Sequence, residues 1–582
     1  MPSETKICQN CKKEFVIEPE DFSFYEKIQV PPPTFCPECR MQRRFAWRNE
    51  RILHHNVCAK TGKKIITGFA PDSGLTVYDR DVWWSDAWDP MAYGADYDFS
   101  KPFFKQWREF FGQVAHPAVF NTQTVNCDYT QYTGNMKDAY LVSASWGGEN
   151  LAYAARAQFC RDAFDVFAVY DSELCYEDVN VFKSSRTHFS QNCESCVDCI
   201  FLYDCRGCTN CVGCTGLRNK SYYIFNKPYS KEDYQKQISE LKINTYTGLC
   251  EARKRFEMLK REQIRKYATL IKCERSTGDN MQNVADSKNC FDVLGDARNC
   301  RFIQNGTKII TDSYDGYGVG AGVDLLYEAF DSGVEGSRQL FCMTVYGCHN
   351  ATYCFNCHGC GNIFGCIGLR NKEYCIFNKQ YTKEEYEALV PKIIQHMKDI
   401  PYIDKLGRTY GYGEFFPIEL SPFGYNETAA QDFLPVSEEV AQTMGFNWRD
   451  LKTSEHQPTL LAQNLPDAME DSSTEITKEN IGCLNCGRAY RIILKEYQFL
   501  KQFHLPIPRF CPECRHQARL KLRNPLKLWH RKCMCLPAQA GDKNTAKHFH
   551  GDKPCPNEFE TSYAPDRPEI VYCEQCYNSE VA

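Results

Sequence analysis

A cysteine period of twelve constrains this chain more than any other feature. Cys193, Cys196 and Cys199 return twelve positions on as Cys205, Cys208 and Cys211, and Cys214 follows. Counting back from Cys211 in twelves gives Cys199, Thr187, Cys175, Ala163, Leu151, Ala139 and Cys127, so every rung is small or apolar. The next column, from Val212, runs through Ile200, His188, Tyr176, Phe164, Ala152 and Tyr140. A short period with small residues in register predicts a parallel β-helix, or β-solenoid, whose successive coils stack equivalent positions into ladders.

The block occurs twice. LRNKSYYIFNKPYSKEDY from Leu217 returns as LRNKEYCIFNKQYTKEEY from Leu369, and Cys342, Cys354 and Cys366 keep the step of twelve. That step fits either one narrow coil or half of a coil twice as long. The columns hold many Phe and Tyr, too large for the inside of a narrow coil, which favours the wider coil with two strand segments per turn. The central cysteines are expected to be reduced ladder residues, because a thiol packs as a small hydrophobe. The competing reading is a thiolate cluster, since C-x2-C-x2-C is also a metal-like spacing.

Cysteine is the compositional outlier, 35 in 582 residues, while the net charge of −5 sets up no global field toward nucleic acid or membrane. The opening MPSETKICQN has no apolar signal core, and no uninterrupted apolar run is long enough to span a bilayer. The expectation is a cytoplasmic chain without a membrane partner, where reduced thiols favour metal ligation or a packed thiol core over disulfides.

Both ends carry a metal-ligand pattern. Cys8 and Cys11 are followed, after a spacer of twenty-four, by Cys36 and Cys39; Cys483 and Cys486 are followed, after the same spacer, by Cys511 and Cys514. Two C-x2-C knuckles supply four thiolates for tetrahedral Zn²⁺ and leave no open coordination position, so each ion is expected to be structural. A third zinc is expected at Cys533, Cys535, Cys573 and Cys576, with Cys555 as the substitute ligand. The segment YAPDRPEIVYCEQCYNS parallels FAPDSGLTVYDRDVWWS. Asp79 and Val82 there occupy the places of Cys573 and Cys576, which leaves Cys58 alone.

The charge turns basic just after each CPECR. Arg40, Arg43, Arg44 and Arg48 follow the first, and Arg515, Arg519, Arg523 and Arg531 the second. With Trp47 and Trp529 as stacking surfaces, these stretches are proposed to contact phosphates of RNA or single strands, weakly and without sequence preference. The other reading is that these arginines pair with acids of the solenoid and fix the ribbons in place.

In chain order the expected organisation is a zinc ribbon with a basic helix (1–51), an aromatic-rich region and capping helix starting at Ser100 (52–126), and the first solenoid block (127–228). A helical linker (229–279), the second block (280–380) and a stretch of helices and linker (381–480) follow. The chain closes with a zinc ribbon and basic helix (481–532) and a second zinc site (533–582). Ser230-Lys-Glu-Asp233 and Thr382-Lys-Glu-Glu385 are capping boxes that start a helix after each block. The fold class is mainly β: a duplicated Cys-rich parallel β-helix flanked by zinc ribbons, with helical linkers.

The segment CQNCKKEF, FSFYEK and VPPPTFCPECR resembles a small zinc-ribbon domain family, which implies zinc and no activity. The terminal CPECR ribbons, the duplicated GLRNK–YxIFNKxY blocks and SPFGYNET…GFNWRD together resemble uncharacterised Cys-rich zinc-ribbon proteins of uncultivated bacterial lineages with reduced genomes. Three functions compete. One is a zinc-binding, non-enzymatic scaffold whose ribbons bind nucleic acid; another is a protein-interaction scaffold with structural zinc. The third is a solenoid enzyme, thiol-redox or carbohydrate-active. The sequence holds no phosphate loop, nucleophile elbow or dinucleotide fingerprint.

Overall fold

A computed structural model describes residues 2–451, 456–536 and 544–581. The fold is mostly strands. In the first block Glu149–Ala152, Arg161–Phe164, Glu173–Tyr176, Ser185–His188, Val197–Ile200, Thr209–Val212 and Ser221–Ile224 pair in parallel, each with the next. Leu151 pairs with Ala163, Ala163 with Cys175 and Cys199 with Cys211. Along another side Val169 pairs with Val181 and Val181 with Cys193. Each partner lies twelve positions on, so the repeat of twelve is one whole coil and the wider coil is corrected.

The backbone explains how so few residues close a turn. From Asn150 to Phe225 every third residue has positive φ, beginning with Asn150, Tyr153, Arg156 and Phe159 at 54°, 54°, 56° and 54°. Each coil therefore has four sides with a corner at every third position. The left-handed region costs about 1–2 kcal/mol for most L-residues and least for Gly, Asn and Asp. Asn192, Asp198, Asp204, Gly207, Asn210, Gly213, Gly216 and Asn219 hold such corners, and no Val, Ile or Thr does in this block.

The residue after each corner points inward. Cys193, Cys196, Cys199 and Leu202 form one coil's interior and Cys205, Cys208, Cys211 and Cys214 the next, all at most 1% exposed. C-x2-C-x2-C is thus the spacing of inward positions. Four side chains share one narrow lumen, so they are small. The rings that argued for a wide coil point outward instead: Phe164 and Tyr176 pack on Phe499, at 4.8 and 5.9 Å between centroids.

Between Phe291 and Leu340 the second block differs by one residue per coil. Phe291 pairs with Gln304, Gln304 with Tyr317 and Tyr327 with Leu340, each thirteen positions on. From Ser337 the step of twelve returns, to His349 and then Gly361. The extra residue hides the period upstream of Cys342. Helices Lys231–Glu240 and Lys383–Asp399 follow the two blocks, capped by Ser230 and Thr382, whose hydroxyls accept from Asp233 N and Glu385 N at 3.1 and 3.2 Å. Helix Phe103–Gln113 starts after Pro102, not at Ser100.

The terminal modules cross over. Residues 2–51 pack on the second block, where Phe24 stacks on Tyr314 at 3.8 Å, and residues 481–532 on the first. The stretch after residue 400, expected as linker, wraps the N-terminal module. Phe415, Phe416 and Tyr425 are at most 1% exposed there, and Glu414 accepts from Thr34 N and Oγ1 at 2.8 and 2.6 Å. Among the described residues no helix is long and apolar enough to cross a membrane.

Candidate metal centres

Three groups of four thiols gather their sulfurs within 4.8 Å: Cys8, Cys11, Cys36 and Cys39; Cys483, Cys486, Cys511 and Cys514; and Cys533, Cys555, Cys573 and Cys576. The first cysteine of each sits in a hairpin turn. Its N–H donates across the turn, Cys8 to Lys13 O at 2.9 Å, Cys483 to Arg488 O at 3.0 Å and Cys533 to Asn557 O at 2.9 Å. The second knuckle opens a helix: Pro37–Phe45, Pro512–Lys521 and Glu574–Val581. The backbone N–H at that opening donates to the first sulfur at 3.2 Å in every case, from Cys36, Cys511 and Cys573. Free N–H groups at a helix start favour thiolate, the form that binds metal. Asn10 and Asn485 each add an N–H bond to the last sulfur, Cys39 and Cys514, at 3.3 Å. Burial opposes ionisation of Cys486, yet bonds from Arg488 and the neighbouring thiols bring it down to about 6.

The third group corrects the expected ligand set, because Cys555 and not Cys535 completes it. The reason is register. Cys11 and Cys486 lie two residues before the carbonyls that close their turns, Lys13 and Arg488, and Cys555 lies two before Asn557. A long insertion separates Cys533 from Cys555, so local C-x-C spacing pointed to the wrong sulfur.

A fourth copy of this turn holds Cys58. Its N–H donates to Lys63 O at 2.8 Å, and its sulfur accepts from Asp79 N at 3.2 Å. Thr61, Asp79 and Val82 take the other ligand places, consistent with the lost metal expected there. Trp83 and Trp88 are buried beside it, and Trp83 Nε1 donates to Ala115 O at 3.0 Å, so these tryptophans are core.

The arginines assigned to nucleic acid are engaged inside the protein. Arg40 and Arg44 meet Asp315 at 2.9 and 3.0 Å, and Arg43 meets Glu328 and Glu414 at 2.7 and 2.9 Å. Arg48 meets Glu50 at 2.6 Å. Arg515 meets Asp165 and, at 2.7 Å, Glu496; Arg519 meets Asp165 at 2.8 Å; Arg523 meets Asp292. These seven side chains are at most 7% exposed. Arg531 is half-buried and donates to the carbonyls of Tyr563 and Ala564 at 3.4 and 3.2 Å. Trp47 is 1% exposed against Trp107 and Phe416. The sequence showed the arginines but not their partners, because Asp165 and Asp315 come from distant coil corners with positive φ.

The central cysteines bond along the stack. Cys199 Sγ meets Val197 O at 3.2 Å and Cys208 O of the next coil at 3.6 Å. Among the described residues the groups with metal-ligand geometry all lie in the terminal modules. Burial pushes the Cys160 thiol up to about 12, which keeps it protonated. His188 packs on Phe499 and Phe503, and His358 on Trp83 and Trp84. Burial brings them down to about 4 and about 3, as packed neutral rings.

A cleft of about 990 Å³ opens where the two blocks meet the C-terminal module, lined by Arg206, Arg218, Arg265, Asp279, Asn524 and Arg567 among others. No protein-family profile, curated protein or solved structure matches the chain.

Proposed function

We propose that the chain is a zinc-stapled scaffold. Zinc ribbons at Cys8/Cys11/Cys36/Cys39 and Cys483/Cys486/Cys511/Cys514, with the Cys533/Cys555/Cys573/Cys576 group, hold two narrow β-solenoids side by side and present their outer surfaces to a protein partner. The likeness to Cys-rich zinc-ribbon proteins belongs to this reading. The observation that carries it is the burial of the ribbon arginines against solenoid carboxylates. A guanidinium engaged by a buried carboxylate is not free for phosphate, and moving it out would strand an uncompensated charge. Sequence position thus made these residues look like a nucleic-acid surface when their chemistry is that of clamps.

Metal analysis of the purified protein and titration of labelled single-stranded RNA at two salt concentrations test this together. At least three zinc ions per chain and no salt-dependent affinity are expected. Binding at low salt that weakens steeply with added salt would restore the nucleic-acid reading.

The cleft favours a second reading, that of a site for a small anion. Arg265 Nη1 is buried at its wall without a hydrogen-bond partner. Calorimetry with inorganic phosphate checks this: heat lost in Arg265→Ala supports it, and no heat in the wild type rejects it.

A further inference from the structure

We propose that the C-terminal module holds two metal ions side by side, the second bound by Cys535, His548, His550 and Cys576, with the Cys576 thiolate bridging the pair. The inference rests on the metal-binding reading of this module and extends it to a binuclear centre. The ligand atoms of the second set lie within 4.8 Å of one another, as those of the first do. Two four-coordinate ions need eight donor positions, and seven side chains with one shared thiolate supply eight.

Each histidine is held as a ligand would be. His550 Nδ1 lies 2.5 Å from Lys553 O, a carbonyl that can only accept, so the proton sits on Nδ1. The Nε2 lone pair then faces Cys535 Sγ at 3.2 Å. His548 donates from Nε2 to the Glu580 carboxylate at 2.7 Å. Its side chain is 4% exposed, and its Nδ1 is buried with no hydrogen-bond partner. A buried ring nitrogen is costly when nothing engages its lone pair. Carboxylate–histidine–metal relays fix a ligand's tautomer in this way. Glu580 is itself fixed, accepting from Thr545 N at 2.9 Å, Thr545 Oγ1 at 2.7 Å and Ala546 N at 3.2 Å.

The thiols show the same care. Asn544 Nδ2 donates to Cys535 Sγ at 3.2 Å, and its own carbonyl oxygen accepts from Tyr572 OH at 2.6 Å. This repeats the asparagine-to-sulfur bonds on Cys39 and Cys514 in the four-cysteine groups. It also accounts for Cys535, which register excludes from the first set. Mixed sulfur and imidazole donors in a tetrahedral set suit Zn²⁺ or Co²⁺.

The experiment uses the full chain and compares wild type with His548→Ala/His550→Ala and with His550→Cys. Metal per chain is measured, and then the chain loaded with ¹¹³Cd is read by NMR. Four ions in the wild type, three in the double alanine variant and four again in His550→Cys are expected. Two of the wild-type cadmium signals should show mutual coupling through Cys576, lost in the double alanine variant. Three ions per chain, unchanged by the histidine substitutions, would overturn the second ion while leaving the three four-cysteine groups intact. Fewer than three would fail the underlying metal reading instead. Four ions without coupled signals would overturn the bridge.

Discussion

The hairpin unit around Cys58 and the one around Cys533 share a backbone and differ in what holds them. Strands His54–Val57 and Lys64–Thr67 match Trp529–Lys532 and Glu558–Thr561, and both first cysteines accept an N–H at 3.2 Å from the second knuckle position. The C-terminal unit brings four thiols together; the N-terminal one has Thr61, Asp79 and Val82 at the other places and a packed tryptophan core. A module this small needs either a staple or apolar surface from a neighbour to be stable. The N-terminal unit relies on its neighbour, since Trp83 packs within the same core as the second block's aromatics. The C-terminal unit has a small cluster of its own, dominated by cysteines and tyrosines.

The largest expected effect breaks this contrast directly. Cys573→Ser should unfold the module around Cys533 and Cys573, because metal binding of about 10–16 kcal/mol supplies such a module's folding energy. Cys58→Ala should cost about 1 kcal/mol, one hydrogen bond to sulfur. Limited proteolysis with metal analysis compares them, and equal damage would end the distinction.

The reverse substitution sharpens it. Thr61→Cys, Asp79→Cys and Val82→Cys together should restore a further four-cysteine group and raise metal content by one ion per chain. A triple variant that folds and gains no metal would show that the two turns are less alike than their hydrogen bonds indicate.

Next come the clamps. Arg515→Ala leaves Glu496 buried without a counter-charge and Asp165 with Arg519 alone, and should cost about 3–5 kcal/mol; its counterpart Arg40→Ala, which leaves Asp315 with Arg44, should cost less. Arg51→Ala, partly exposed opposite Glu513 across the two modules, should cost less than Arg515→Ala. Denaturant midpoints check the ranking, and a near-neutral Arg515→Ala would reject the clamp.

The most gradual effect is in pH. Burial pushes Glu496 up to about 7, against the attraction of Arg515. The folded state therefore holds the Glu496 proton more tightly than the unfolded chain. Its contribution is full below the ordinary carboxylate range and is lost as pH rises toward 7, at up to about 1.4 kcal/mol per pH unit. Glu496→Gln should flatten that slope in urea melts between pH 4.5 and 7. An unchanged slope would assign the effect to other groups.

The residues carried much of this outcome. The step of twelve, the duplication and the four-cysteine spacing at each end are local patterns, and local patterns survive without knowledge of the fold. Asp79 and Val82 also showed in the sequence where the N-terminal unit has no cysteine to match Cys573 and Cys576. The coil width did not, because the sequence does not say whether Phe164 and Tyr176 point in or out; positive φ at every third residue turned them outward. The third ligand set was misread for a related reason. Cys555 joins through the closing of a turn across an insertion, a match in space and not in spacing. The arginines were legible as charges, but charge at a distance needs its partner, and Asp165, Asp315 and Glu328 meet them only when the terminal modules cross to the far block. Sequence thus determined the repeats and the donor chemistry, which depend on neighbours along the chain. The tertiary structure decided which side chains face each other, since burial and pairing are properties of segments hundreds of residues apart.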